Sequence, residues 1–233
     1  MNDSKRLEAF SDGVMAIAIT LLVLDLHVPP APGGTEPGAL GLAAALAHEW
    51  PSYAAYLVSF LIIGIIWINH HAMFGLVRRV DRAVLFSNLA LLMVVSLIPF
   101  PTRLLAEYLT AGSAAHVAAA VYSATMLGMG AAFTLLWWAI SRDDRLLHAH
   151  VSIGRAAVRR FGIGMLIYAG CIALSFVNAY ATLAVHGALA IYYCFDQLNP
   201  TTAPSTDDVR DGDPAMVDAR SRPARPDPNR EQP

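Results

Sequence analysis

The sequence predicts an all-α membrane protein in which each chain crosses the bilayer with six helices. Hydrophobic residues make up 56% of the 233 residues and charged residues only 15%, whereas a soluble domain carries about 25% charged residues. The charges are also unevenly placed, because residues 51–77, 83–102, 108–141 and 161–195 contain none. A spanning helix needs about 20 mostly apolar residues. Each uncharged run is therefore long enough for one span.

The first span admits two interpretations. Lys5 and Arg6, followed by the apolar residues 14–24, resemble a secretory signal peptide. Glu8 and Asp12, however, lie where a signal peptide is basic or apolar, and further membrane segments follow instead of a secreted domain. We therefore predict that this segment is a membrane span.

Proline and asparagine residues predict breaks in the later spans. Pro99 and Pro101 predict a kink or a helix end near Phe100. Asn178 lies near the middle of the run 161–195 and suits a tight turn, so that run forms either one long helix or two short spans. We predict two. The six predicted spans are 8–27, 52–75, 83–108, 114–140, 158–177 and 180–196.

The basic residues predict the orientation of these spans. Arginines are concentrated in 78–82 and 142–160, and Lys and Arg also precede the first span, whereas 28–51 contains neither. Because short loops rich in Lys and Arg stay in the cytoplasm, we predict that both termini are cytoplasmic and that the protein lies in the cell membrane.

From residue 199 onward the composition becomes polar. We expect a six-helix transmembrane domain over 1–198 and a disordered cytoplasmic tail over 199–233.

Several classes of function and site are disfavoured. The net charge of -2 gives no basic field for nucleic acid. Cys171 and Cys194 lie in apolar runs and are predicted to be small buried side chains instead of a disulfide or a metal site. The sequence contains no Thr-Val-Gly-Tyr-Gly filter, phosphate loop, nucleophile motif or metalloprotease motif.

Between the first two spans, residues Ala39 to Trp50 predict a short helix.

The first span carries an apolar stripe. Ile17, Leu21 and Leu24 recur at i, i+4 and i+7 and share one helix face, with Thr20 beside them. The pattern alone is also that of an ordinary helix-packing face with a charged end. Toward the N-terminus the same face continues through Arg6, Phe10 and Gly13 or Val14.

Polar residues cluster at the end of the second span. Trp67, Asn69, His70 and His71 occur there within five positions, and Asn69 or His70 could contact polar groups of the first span. The cluster admits a hydrogen-bonded brace, a proton relay, or a metal site with Asp12. Adjacent histidines point about 100° apart on a helix, and no His/Glu pair at i, i+4 accompanies them. These facts favour the brace and no metal.

The start of the chain resembles a known family. Arg6-x-x-x-Phe10-Ser11-Asp12, opening an apolar helix, is similar to the signature of the transmembrane protein 175 family, which comprises lysosomal potassium channels and prokaryotic relatives. The cluster from Trp67 to His71, the basic loops and the length are also those of a prokaryotic member. The resemblance covers about residues 4–198.

The resemblance implies a homotetramer of six-span subunits whose pore is lined by the first helix and lacks a carbonyl selectivity filter. Animal members instead fuse two such units and dimerise. By position, Ile17 forms the innermost apolar ring, followed by Leu21 with Thr20 close by, and then Leu24. Asp25 would concentrate cations at the outer mouth. The residues implied to brace the pore helix are Arg6, Phe10, Ser11, Asp12, Trp67, Asn69, His70 and His71.

The expected function is a potassium-permeable cation channel without a cofactor, whose partners are potassium ions, the lipid bilayer and other copies of the chain. The main alternative is a proton-leak or proton-coupled cation pathway that uses Asp12, Asp25, and His70 or His71. A third alternative, a membrane enzyme or haem protein using the two histidines, is less favoured, because no second catalytic pair accompanies them in the sequence.

Overall fold

The structure is a computed structural model that describes residues 3–29, 39–147 and 155–198, and these residues are nearly all helical. The described β structure is a single bridge between Val77 and Leu147. The predicted helical class is therefore confirmed, and so is the short helix after Ala39. The helices are α1 (Asp3–Leu21, continued by a 3-10 turn over Leu22–Asp25), α2 (Ala39–His48), α3 (Trp50–Phe74), α4 (Arg82–Leu97), α5 (Pro99–Tyr108), α6 (Ser113–Ser141), α7 (Arg155–Ser175) and α8 (Ala179–Leu198).

Four helical segments are long and apolar enough to cross a membrane. They are Ser4–Asp25, Trp50–Phe74, Arg82–Tyr108 and Ser113–Ser141. The predicted fifth and sixth spans correspond to α7 and α8, which have 21 and 20 residues. Their described apolar portions are shorter, so crossing by these two helices stays a prediction.

Both predicted helix breaks are confirmed. α4 ends at Leu97 and α5 begins at Pro99, because proline lacks the amide hydrogen that would continue the helical bonding pattern. The second break separates α7 from α8. There the side-chain Oδ1 of Asn178 accepts a hydrogen bond of 3.0 Å from the amide of Ala181 and so caps the first turn of α8.

The core is built around α6, which packs against α4, α5 and α7, while α1 packs against α3 and α4. Large apolar side chains of several helices are fully buried there. α8 contacts this core through His186, whose ring lies 5.1 Å from that of Tyr122 on α6 and 5.6 Å from that of Tyr168 on α7. The largest fully buried apolar side chains are Met15, Leu22, Ile63, Leu91, Ile98, Leu105, Leu109, Tyr122, Met126, Leu136 and Ile140.

A buried chain of hydroxyl groups joins three helices. The Thr102 hydroxyl donates its one proton to the carbonyl of Ile98, at 2.8 Å. The Ser59 hydroxyl, 2.8 Å away, must therefore donate to Thr102, and the Tyr122 hydroxyl donates in turn to Ser59 at 2.9 Å. Because a buried hydroxyl without a partner costs about 1–3 kcal/mol, this chain satisfies its members and fixes α3, α5 and α6 relative to one another.

One prediction of the sequence is wrong in part, and another is not tested by the structure. Cys171 is buried as expected, but Cys194 is exposed, so the prediction that both are buried is wrong for Cys194. The reason is helical phase, since Cys194 falls on the outer face of α8 near Ile191 and Tyr192, which are also exposed. The predicted disordered tail, 199–233, lies outside the described residues.

Candidate functional site

Helix α1 has one buried face. Leu7, Ser11, Met15, Ala18 and Leu22 recur at intervals of three or four residues and are each at most 9% exposed. This spacing places them on one side of a helix with 3.6 residues per turn. α1 is therefore held on this side by α3 and α4, the helices against which it packs.

The opposite face of α1 is exposed and apolar. Phe10 is 54% exposed, Ile17 61%, Leu21 42% and Leu24 74%. A side chain at Gly13 on the same face would meet nothing within 4 Å. The stripe that the sequence indicated is thus the face of α1 that the described chain leaves uncovered.

The end of the first span is not the continuous α-helix implied by the i, i+4, i+7 spacing, because it tightens to a 3-10 turn from Leu22 to Asp25. In a 3-10 helix, residues three apart eclipse one another. Leu24 consequently lies almost directly above Leu21, so the change of helix type keeps both side chains on the exposed face.

Thr20 lies beside the stripe, whereas Ile19 lies on the other side of α1. The hydroxyl of Thr20 lies 2.9 Å from the carbonyl oxygens of both Ala16 and Ile17 in its own helix. Thr20 is exposed, and its hydroxyl donor is satisfied within its own helix. Ile19 is partly buried and packs against the core, two positions from the exposed Ile17.

A buried hydrogen-bond chain connects α1 to α3 through α4. The Asn88 amide Nδ2 donates to Ser11 Oγ at 2.9 Å, and Ser11 Oγ donates to the carbonyl of Leu7 at 2.9 Å. Asn88 Oδ1 lies 2.8 Å from Nε2 of His70. Because an amide oxygen only accepts, His70 must carry its proton on Nε2. His70 also stacks on Phe74, with 4.3 Å between ring centroids.

Two exposed contacts flank this buried chain. The indole Nε1 of Trp67 donates to Asp12 Oδ1 at 3.0 Å. Nδ1 of His71 lies 2.9 Å from Glu8 Oε1, and the rings of Trp67 and His71 stack 6.2 Å apart. One end of α1 is therefore attached to α3 by two direct polar contacts and, through Asn88 of α4, by the buried hydrogen-bond chain.

Other predicted site residues lie apart from this cluster. Arg6 is exposed, and no ion pair of the described residues involves it. Asn69 donates to the carbonyl of Ile65 in its own helix at 2.9 Å. Asp25 is partly buried at the other end of the span, with the side chains of Arg103 and His27 in its vicinity.

The two histidines point in different directions, as their adjacency on a helix predicts. His70 contacts Asn88 inside the protein, and His71 contacts Glu8 at the surface. Among the described residues, no group of three or more His, Cys, Asp or Glu side chains could hold a metal ion.

Sequence reasoning missed Asn88 and Glu8. Asn88 is uncharged and lies inside the uncharged run 83–102, so charge distribution gives no signal for it. A polar amide within a membrane span is, however, a signal in itself, because it needs a protein partner. Glu8 was noted only as evidence against a signal peptide.

The basic loops at this end of the molecule are joined to each other. The amides of Arg78 and Arg79 donate to the carbonyl of Leu146, at 2.7 and 3.2 Å. Arg142 forms an ion pair with Asp81. The pKa of Asp81 lies below its ordinary value, first because its carboxylate accepts a hydrogen bond from the Val84 amide, and further because Arg142 is adjacent.

The chain is similar in sequence to a known protein family and to several named proteins. Residues 6–99 match the model of the family described as "Endosomal/lysosomal potassium channel TMEM175". A protein from Streptomyces collinus, named a potassium channel, is 56% identical over 200 residues, which cover 85% of this chain and 95% of that protein. A zebrafish protein, named an endosomal/lysosomal proton channel, is 33% identical over 175 residues, which cover 73% of this chain but only 33% of that protein.

A solved structure has the same fold. It is the crystal structure of a lysosomal potassium-selective channel TMEM175 homologue from Chamaesiphon minutus, which superposes with a TM-score of 0.72. The two proteins are 40% identical, and the match covers 83% of this chain and 97% of that one.

Proposed function

The chain belongs to the TMEM175 family, and we propose that it is a potassium-permeable cation channel whose pore is lined by the exposed face of α1. Its relatives are named as ion channels and not as enzymes. We further propose that four copies surround the pore, that α7 and α8 complete six spans, and that both termini face the cytoplasm.

The exposed stripe on a firmly held helix carries this proposal. Phe10, Ile17, Leu21 and Leu24 are large apolar side chains that no described part of the chain covers, although α1 is fixed on its other side by buried packing and hydrogen bonds. A rigid helix with an uncovered apolar face is suited to meet copies of itself around an axis, where each side chain would form a ring.

An apolar ring can control ion passage without a carbonyl filter. Narrow apolar constrictions exclude water, and an ion must shed part of its hydration to pass. Potassium sheds water at lower cost than sodium, so such a ring favours potassium modestly. The exposed Thr20, whose hydroxyl is already satisfied by its own helix, would offer oxygen lone pairs next to the ring formed by Leu21.

The test compares Ile17→Asn with Ile19→Asn in potassium and sodium flux assays on proteoliposomes. An amide at position 17 would hold water in the ring, so we expect potassium flux to rise on the order of tenfold, which corresponds to about 1.4 kcal/mol off the barrier. Discrimination between potassium and sodium should fall. Ile19 packs against the core, so Ile19→Asn should lower stability without widening the pore.

Both variants must first elute as folded protein of the wild-type assembly size. If folded Ile17→Asn conducts with unchanged rate and selectivity, Ile17 does not face the pore and the assignment of the α1 stripe is wrong. If Ile19→Asn alone changes selectivity, the pore lies on the other side of α1.

Proton permeation is a second candidate function. The zebrafish relative is named a proton channel, and Glu8, Asp12 and His71 place titratable groups at one end of α1. Proteoliposomes with a pH gradient and no potassium separate the two functions. Proton uptake that Asp12→Asn abolishes would support proton permeation, whereas potassium flux without proton uptake would support a potassium channel alone.

A further inference from the structure

Five exposed arginines are gathered at one end of the helices. This arginine cluster consists of Arg78, Arg79, Arg82, Arg142 and Arg145, contributed by the loop between α3 and α4, by the first residue of α4 and by the residues that follow α6. The bridge between Val77 and Leu147 holds these segments together, as do two hydrogen bonds from the main-chain amides of Arg78 and Arg79 to the carbonyl of Leu146. The cluster is therefore fixed by main-chain contacts that do not require the arginine side chains.

The aspartates of these segments are too few to balance the arginines of the cluster. Asp81 uses one carboxylate oxygen to cap α4 at Val84 and the other to bind Arg142. Asp143 accepts a hydrogen bond from the amide of Arg145 at 3.0 Å. Arginines outnumber aspartates five to three over 78–82 and 142–146. Among the side chains that the structure describes, the other four arginines form no ion pair.

Exposed aromatic side chains lie one turn further along the helices. Phe86 follows Arg82 by four residues and is 71% exposed, and Trp138 precedes Arg142 by four residues and is 58% exposed. The Arg142 guanidinium lies 6.0 Å from the Trp138 ring. Tryptophan is enriched at the boundary between lipid tails and water, and Phe86 adds exposed apolar surface beside it. The arginines are thus placed at the level of phospholipid headgroups, with apolar surface beside them.

We propose that the arginine cluster binds the headgroups of anionic phospholipids. The guanidinium groups supply several donors in a geometry suited to phosphate, and Phe86 and Trp138 contact the acyl chains. The positive charge of the cluster favours an anionic headgroup as its ligand. The exposed aromatic side chains beside it favour a lipid instead of a soluble anion. This site is separate from the α1 stripe and does not depend on which ion the channel conducts.

The test titrates the full-length protein in neutral detergent with phosphatidylglycerol that carries a fluorescent acyl chain, and measures energy transfer from the tryptophans. A basic residue near an anionic surface contributes about 1 kcal/mol, a factor of about five. The variant Arg78→Gln/Arg79→Gln should therefore bind about 25-fold more weakly, while Arg78→Lys/Arg79→Lys stays within a few-fold of wild type. Arg103→Gln, at the other end of the span, is the charge-matched control and should bind like wild type.

The proposal also requires that phosphatidylcholine with the same acyl chain bind the wild type at least tenfold more weakly, and that millimolar inorganic phosphate leave lipid binding unchanged. Equal binding of the two lipids would overturn the proposal. So would an unchanged affinity in the folded glutamine variant, or an equal loss in Arg103→Gln. Displacement of the lipid by phosphate would show that the site binds the free anion instead.

Discussion

Asn88 is the residue on which the attachment of α1 depends most. Its amide contacts Ser11 on one side and His70 on the other, and all three side chains are buried. A buried donor that loses its partner costs about 1–3 kcal/mol, so one substitution on α4 would weaken the positions of two neighbouring helices. The motif residue Ser11 therefore acts through a side chain that is not part of the motif.

We predict that Asn88→Leu lowers the stability of the detergent-solubilised protein by about 2 kcal/mol, because it leaves the Nε2 proton of His70 without an acceptor in a buried site. Thermal unfolding followed by size exclusion measures the change. Ser96→Ala on the same helix removes only an exposed hydroxyl that bonds to Met93 in its own turn, and should change stability by less than about 0.5 kcal/mol. Similar losses for both variants would contradict the role of Asn88.

The sequence predicts which helix face a residue lies on better than it predicts contacts between helices. Phe10, Ile17 and Leu21 could be placed on one face because helical spacing alone determines it, whereas Leu24 stays on that face through a 3-10 turn. Asn88 could not be paired with His70, since the pairing depends on how α3 and α4 lie against each other. The function of the stripe depends on further copies of the chain, so it stays a prediction.

At the scale of elements, Asp81 connects the start of α4 to the end of α6. Its Oδ1 caps α4 at the Val84 amide, 2.9 Å away, and Oδ2 binds Arg142. The cap contributes about 1 kcal/mol. The ion pair is exposed and contributes less, about 0.2–1 kcal/mol. Since both contacts favour the charged carboxylate, the pKa of Asp81 is lower in the folded protein.

This shift predicts a pH dependence with a definite sign. A carboxyl group whose pKa is lower when folded contributes stability that is present above its unfolded pKa and is lost as pH falls through its folded pKa. We therefore expect Asp81→Asn, which retains a capping side chain, to be about 0.5 kcal/mol less stable than wild type at neutral pH and equal to it in acid. Chemical unfolding at a series of pH values measures the difference.

Two comparisons control this prediction. Asp81→Ala removes the cap as well as the charge and should lose about 1 kcal/mol more than Asp81→Asn at every pH. Arg142→Gln should reproduce the neutral-pH loss of Asp81→Asn, because it removes the same ion pair. A stability difference between wild type and Asp81→Asn that grows as pH falls would contradict the assignment.

The positions where helices begin and end could be predicted from the sequence wherever local chemistry determines them. Pro99 lacks an amide hydrogen, and Asn178 caps a helix with its side chain, so both breaks were predictable. The 3-10 turn over Leu22–Asp25 was not. Its residues are apolar and compatible with an α-helix, and the turn packs against α3 and α5, so tertiary contacts decide its geometry.

At the scale of the whole molecule, the proposed orientation can be tested on described loops. Thr110, between α5 and α6, and Asp143, after α6, are both exposed. In a background carrying Cys171→Ser and Cys194→Ser, we expect Thr110→Cys to react with an impermeant thiol reagent on intact cells and Asp143→Cys to react only after lysis. Removal of Cys194 is essential because that thiol is itself exposed. Labelling of both positions in intact cells would contradict the topology.

The proposed assembly predicts that equivalent α1 residues meet around one axis. In the same cysteine-free background, Ile17→Cys would place several thiols at one level of the pore, and thiolates grouped in this way bind soft metal ions tightly. We expect micromolar Cd²⁺ to block potassium flux through Ile17→Cys by at least tenfold and to leave Ile19→Cys unaffected, because Ile19 packs against the core of its own chain. Leu24→Cys should also be blocked, because the 3-10 turn keeps Leu24 above Leu21 on the exposed face. Block of Ile19→Cys without block of Ile17→Cys would mean that the pore lies on the Ile19 side of α1 and that the exposed stripe does not face it.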